Sequence, residues 1–136
     1  VIRVSKLVDT LKTLILNWKL RLKKNKAIFP FKNINLSLVT KESIMKVVKF
    51  SILNNTSGVI HLSSNDEISY EKIAKILRKK LKKNNTLVKP INVPDNMQNI
   101  VQKHSILKNN IFLKKILKFS NSKKIFTNYL SQNIKL

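Results

Sequence analysis

Ser57-Gly58-Val59-Ile60-His61-Leu62-Ser63-Ser64-Asn65-Asp66-Glu67-Ile68-Ser69-Tyr70-Glu71-Lys72-Ile73-Ala74-Lys75-Ile76-Leu77 is the stretch on which the fold turns. It contains the only glycine of the 136-residue chain, placed just before an apolar run, Val59 to Leu62, of strand length. A polar turn follows. Ser69 then stands where a helix N-cap belongs, and Glu71 in the first turn meets the positive end of the helix dipole. Ile73, Ile76, Leu77 and Leu81 recur at i, i+3, i+4 and i+8, one buried helical stripe. Strand, turn and helix in that order are an α/β signature.

Val1 to Ser5 reads as a short buried strand, too continuously apolar to be half exposed. Asp9 or Thr10 can cap a helix with Leu11, Leu14, Ile15, Trp18 and Leu22 on one face, ending in Lys23-Lys24-Asn25. Ala27 to Phe31 is interrupted by Pro30 and so is an edge strand or loop. Asn33 to Val39 alternates loosely as a second short strand. Thr40 with Glu42 starts the next helix, with Ile44, Val47, Val48 and Ile52 as its buried stripe, and Asn54 to Gly58 breaks it. Beyond the central helix, Lys89-Pro90 and Val93-Pro94-Asp95 read as extended coil. Asn109 to Phe119 and Lys123 to Leu130 are weakly helical, with Ile111, Leu113, Ile116 and Leu117 available to pack. Two short buried strands cannot make a stable parallel sheet alone, so the expected unit is a partial domain.

The bulk composition narrows the function classes. There is no cysteine, hence no disulfide framework and no thiolate metal site. No apolar run is long enough to span a bilayer, and no signal peptide opens the chain, so a cytoplasmic protein is expected. The chain starts at Val1, directly in a strand-like run, which predicts that it begins inside a longer protein. The net charge is +22, built from 28 Lys and Arg against 6 Asp and Glu. That excess invites a nucleic-acid reading. Yet only Arg3, Arg21 and Arg78 are arginines, the residue that reads guanine edges and clamps phosphates. Lysine, asparagine and isoleucine, all with A- and T-rich codons, are abundant together, so coding bias explains the charge better. Weak, salt-sensitive binding to polyanions is expected regardless.

The Gly58 to Lys75 pattern resembles the late strand-turn-helix of extended short-chain dehydrogenases acting on nucleotide sugars. The likeness is to the dTDP-4-dehydrorhamnose reductase type, with its "Gly-x-x-His-Leu-Ser/Ala … Ile-Ser-Tyr-x-Glu/Lys-x-Ala" run. More thinly, Val1-Ile2-Arg3-Val4-Ser5-Lys6 is similar to that family's "Ile-Leu-Arg-x-Ser/Thr" strand. Ile28 to Phe31 and Leu36 to Thr40 resemble the segment entering and leaving the substrate lobe, and Lys103 to Leu107 the "Arg-x-x-Ser-x-Leu-Asp" stretch. The resemblance implies the C-terminal portion of a Rossmann-type NAD(P)-binding fold with its small substrate-binding lobe and an incomplete sheet. It implies a single partial domain over 1–136. Residues 1–8 and 58–83 would belong to the Rossmann sheet, and 9–53 and 84–136 to the substrate lobe and tail. The partners implied are a nucleoside-diphosphate sugar, NAD or NADP in the full-length parent, and a missing N-terminal half. Departures are present: Leu38 replaces a proline, Ser43 an aspartate, and Val8 and Asp9 lie where a glycine is common.

Neither the family's Gly-x-x-Gly-x-x-Gly turn nor its Tyr-x-x-x-Lys pair is present, since Tyr70 precedes Ala74 and Tyr129 precedes Asn133. This chain therefore carries no catalytic residue and no cofactor motif, and cannot run hydride transfer by itself. By resemblance, Arg3, Ser5, Phe31, Lys103 and His104 face the substrate. His61 is expected to be a sheet residue, Trp18 a core residue or a lid of the substrate lobe, and Asp66 and Glu67 turn and capping groups. Lys79-Lys80 and Lys82-Lys83 are expected on a solvated helix end. The competing readings are a small lysine-rich nucleic-acid-binding (ribosome-associated) protein and a non-catalytic remnant of the reductase fold.

Overall fold

Three two-stranded sheets, each built from very short strands, organise the chain in a computed structural model that describes residues 1–97, 102–109, 113–118 and 120–134. β1 (Ile2–Val4) runs parallel to β5 (Ile60–Leu62), with Arg3 opposite His61. β2 (Lys6–Leu7) runs parallel to β4 (Leu38–Val39). β3 (Asn35–Leu36) pairs antiparallel with β6 (Ile68–Ser69). The helices are α1 (Lys12–Lys23), α2 (Lys41–Leu53), α3 (Tyr70–Lys80), α4 (Leu113–Ile116) and α5 (Ser122–Asn133). The expected α/β class with an incomplete sheet is what the structure shows.

The central segment forms as its residues dictate. Ser69 Oγ accepts from Lys72 N at 3.1 Å, closing the α3 N-terminus, and Glu71 pairs with Lys75 one turn on. Ile73, Ala74 and Leu77 are buried, with Ile76 and Leu81 packed at the margin. Gly58 enters β5 at φ +86°, in the left-handed half of backbone space where a Cβ is strained. Space is not the constraint, since an added Cβ would meet nothing within 4 Å. Gly58→Ala should therefore cost about 1 kcal/mol, read as a shift of the urea midpoint with unchanged slope.

Other expectations are corrected. β1 is not buried: Ile2 is half-buried and Arg3 and Val4 are exposed, because a single neighbouring strand covers only one edge. Neither Asp9 nor Thr10 caps α1. They lie inside a 3₁₀ turn, Val8–Leu11, and the Thr10 hydroxyl donates to Leu7 O instead. The α1 stripe itself is buried as read, at Leu11, Ile15, Trp18 and Leu22. In α2 the Thr40 cap is present, accepting from Ser43 N at 3.2 Å, but only Val47 is fully buried and Ile52 is 69% exposed. The last turn of α2 overhangs the small core rather than lying on it. Asn33 to Val39 splits into two strands of different sheets, and residues 28–31 bridge Val88 and Ile91 as an edge. The weakly helical stretch at 109–119 reduces to the single turn α4 among the described residues; Ile111 and Phe119 lie outside them.

Two hydrophobic cores result. The larger joins α1, α3 and α5 through residues such as Ile15, Leu22, Ile73, Leu77, Phe126 and Leu130. The smaller packs Val47 of α2 with Leu113 and Leu117 against Ile60 and Leu62 of β5. Each fully buried side chain of this size contributes about 1.5–3 kcal/mol of transfer free energy.

Candidate functional site

A mainly apolar cleft of ≈ 570 Å³ opens at the C-terminal end of β1, where α/β folds place ligands. Ser5 and Lys6 come to it as the chain leaves β1, and Trp18 comes from the stripe of α1. Phe29, Pro30 and Phe31 form a second wall, and Tyr70, the first residue of α3, closes the floor. Trp18 and Tyr70 meet edge to face, with centroids 6.4 Å apart and planes at 81°. Burial pushes the Tyr70 phenol above its ordinary value, so it stays a neutral hydroxyl at neutral pH. Phe29 is 50% exposed and offers an apolar face at the mouth.

The remaining wall is a strap, residues 102–109, that contributes Gln102, Ser105 and Leu107. It has almost no secondary structure of its own, so its backbone groups must be satisfied elsewhere. Asn35 N donates to Lys103 O at 2.8 Å. Glu67 Oε1 accepts from Ser105 N at 2.7 Å and Ile106 N at 2.9 Å, while its Oε2 lies 2.6 Å from His104 Nδ1. Burial alone would raise the Glu67 pKa; the hydrogen bonds from His104, Ser105 and Ile106 outweigh it and hold the carboxyl below its usual value.

Behind the strap lies a buried serine network. Ser37 Oγ is 2.7 Å from both Ser63 Oγ and Ser64 Oγ, and Ser64 Oγ is 2.6 Å from Ser122 Oγ. All of these serines are buried. The hydroxyls also serve buried backbone: Ser64 N donates to Ser37 Oγ, Leu38 N to Ser122 Oγ and Leu107 N to Ser63 Oγ. Asp66 Oδ1 accepts from Ser122 N at 2.6 Å, at the N-terminus of α5. Asp66 thus lies in the bend before α3 and caps the distant α5, in keeping with the turn and capping expectation, whereas Glu67 is a long-range anchor of the strap, which corrects that expectation. The serines gave no sequence signal as core residues, because hydroxyls in a turn-like run read as solvent-facing.

Of the residues expected to face substrate, Ser5 and Phe31 line the cleft. The Ser5 hydroxyl donates to Ser37 O at 2.7 Å and keeps its lone pairs. Arg3 is exposed on β1, and Lys103 and His104 are exposed on the strap between the lining residues Gln102 and Ser105. His61 lies on β5 opposite Arg3, half-buried. Lys6, half-buried at the start of β2, is a cleft residue that the sequence did not single out; its place directly after Ser5 was the available signal. A second cleft of ≈ 510 Å³ is polar, between the N-terminus of α2 and the C-terminal half of α5.

The residues present do not fit a dinucleotide's pyrophosphate. The sole glycine lies at the N-terminal end of β5, whereas a pyrophosphate cradle needs glycines at a strand's C-terminal end and a helix N-terminus open to the ligand. Here the N-termini of α2, α3 and α5 are closed by Thr40, Ser69 and Asn121. Among the described residues no group of three or more His, Asp or Glu could hold a metal ion, and no helix is long and apolar enough to cross a membrane.

The sequence matches no family model and no curated protein. The structure is similar to solved ones. A dTDP-4-dehydrorhamnose reductase from Bacillus anthracis in complex with NADP aligns at a TM-score of 0.69 and 17% identity, over 97% of this chain and 48% of that one. The Bordetella bronchiseptica enzyme WbmG in complex with NAD and UDP aligns at 0.70 and 12%, over 96% and 42%. A dTDP-glucose 4,6-dehydratase from Bacillus anthracis in complex with NAD aligns at 0.64 and 9%, over 96% and 44%. The chain therefore has the α/β fold of part of these Rossmann-type enzymes and spans about half their length.

Proposed function

We propose that this chain is the substrate-binding C-terminal portion of an NAD(P)-dependent sugar-nucleotide reductase of the dTDP-4-dehydrorhamnose reductase type. Its substrate would be a nucleoside-diphosphate keto sugar destined for polysaccharide precursors. An N-terminal half would supply the dinucleotide turn and the tyrosine-lysine pair. The observation that carries this reading is the aromatic cleft at the C-terminal end of β1, in a fold shared with enzymes whose complexes hold NAD, NADP and UDP. Phe31, Trp18 and Tyr70 offer ring faces and edges to a nucleobase or a sugar, and Lys6 offers a cation to a diphosphate. Ser5 presents hydroxyl lone pairs, and Arg3, Lys103 and His104 are sequence neighbours of the lining residues Val4, Gln102 and Ser105.

Trp18 is the only tryptophan, so the cleft carries its own reporter. Titration with dTDP or UDP should quench or shift its fluorescence, and Lys6→Glu should weaken that response about tenfold, roughly 1.4 kcal/mol. No response at millimolar nucleotide, with Lys6→Glu indistinguishable, counts against the site. The genomic codons upstream of Val1 test the parent enzyme separately. An in-frame Gly-x-x-Gly-x-x-Gly and Tyr-x-x-x-Lys are expected there; a stop codon close to Val1 would leave a remnant.

A further inference from the structure

We propose that the converging C-terminal ends of α1 and α3 form a docking surface for the phosphate backbone of duplex nucleic acid, read without regard to base sequence. This surface is separate from the aromatic cleft and does not depend on the function proposed for it. The two helix ends are joined side by side: Lys83 Nζ donates to Asn25 Oδ1 at 3.0 Å and lies 3.4 Å from Lys23 O. Lys89 is brought to the same end, its N–H donating to Ile28 O at 3.0 Å. From α1 the surface takes Arg21, Lys23, Lys24 and Lys26; from α3 and beyond it takes Arg78, Lys79, Lys80, Lys82, Lys83 and Lys89.

What sets this end apart is the density of positive charge: nine of the twelve residues 21–26 and 78–83 are Lys or Arg. No Asp or Glu occurs between residues 10 and 41 or between 72 and 94. Among the described residues, the hydrogen bonds these cations donate go to neutral partners. Arg21 donates to Ala27 O, Arg78 to Lys83 O and Lys80 to Ser131 Oγ. Complementing the helix dipoles does not account for so much charge. Two helix C-termini present about one negative charge between them, against ten cationic side chains. Coding bias explains why the chain is rich in lysine, but not why cations crowd so densely at this end.

The chemistry of the patch selects the partner. Lysines are point charges that neutralise phosphates without reading bases, and arginine is scarce, so recognition is electrostatic and independent of sequence. Residues 19–26 and 78–83 contain no aromatic side chain on which an unpaired base could stack. A single strand therefore gains little here, whereas a duplex presents a phosphate charge about every 1.7 Å of its axis.

The test uses the whole chain and a fluorescently labelled DNA duplex, with anisotropy followed from about 30 to about 150 mM salt. Lys24, Lys26, Lys79 and Lys82 are exposed and make no side-chain hydrogen bond that packing needs, so replacing all four by Gln should leave the fold intact by circular dichroism. The control replaces Lys46, Lys49, Lys123 and Lys124, equally exposed and far along the chain, giving the same net charge. The patch variant should lose about tenfold to a hundredfold in affinity and reduce the salt slope by about 3, while the control changes little. Two duplexes of unrelated sequence should bind alike. Equal losses in the two variants would show that overall charge, not this surface, is responsible. Absence of binding at the lowest salt, or tighter binding of the matching single strand, would also overturn the proposal.

Discussion

Replacing Ser37 by alanine is expected to destabilise the protein by about 2–3 kcal/mol, lowering Tm by about 6–10 °C. The hydroxyl it removes is the hub of the buried network. Ser37 Oγ accepts from Ser64 N at 3.0 Å and lies 2.7 Å from the hydroxyls of Ser63 and Ser64. Of these groups Ser64 N suffers most, because it is buried and keeps no partner, and an orphaned buried N–H costs about 1–3 kcal/mol. The volume change is small, so no large cavity adds to the loss. Ser131→Ala, on the exposed side of α5, should stay within about 0.5 kcal/mol and separates network from composition. A thermal melt of Ser37→Ala matching that of Ser131→Ala would mean that water reaches Ser64 N and that the network does not hold the strap.

The same network marks where sequence reasoning stopped. α3 was legible because three independent signals agree on it: the Ser69 cap, the acidic first turn and the apolar stripe ending at Leu81. α2 was legible in its start, at Thr40, but not in its burial, because Ile52 carries the right periodicity while no neighbour covers it among the described residues. Periodicity reports which face is apolar; it does not report whether something packs on it. The strands were legible where apolar runs were continuous, as at Ile60 to Leu62, and were missed at β6, where Ile68–Ser69 owes its pairing to Leu36 and Asn35 far earlier in the chain. The cleft was partly legible through Ser5 and Phe31. Its strap was not, because what holds residues 102–109 is a set of side chains whose partners lie about forty to seventy residues away.

Glu67 carries the strap most directly, and its removal is the second large effect. Glu67→Ala should cost about 2–3 kcal/mol at pH 7, since hydrogen bonds to a charged acceptor contribute about 1.5–3 kcal/mol and two strap N–H groups lose theirs together. His104→Ala should cost under about 1 kcal/mol, because the imidazole is exposed and both backbone donors remain in place. The pH dependence follows from the sign of the shift. The folded carboxyl titrates below its unfolded value, about 4.3, so its contribution is whole above that pH and is lost as pH falls through the folded value. Urea midpoints should therefore differ widely between wild type and Glu67→Ala at pH 7 and approach one another at about pH 3. A gap that is the same at both pH values would assign the effect to lost packing instead of the carboxylate. Because the strap walls the cleft with Gln102, Ser105 and Leu107, the same substitution should also weaken the nucleotide response of Trp18 under conditions where the protein remains folded. Stability and ligand binding are coupled here through one side chain, held 15% exposed between the turn that precedes α3 and the strap it fastens.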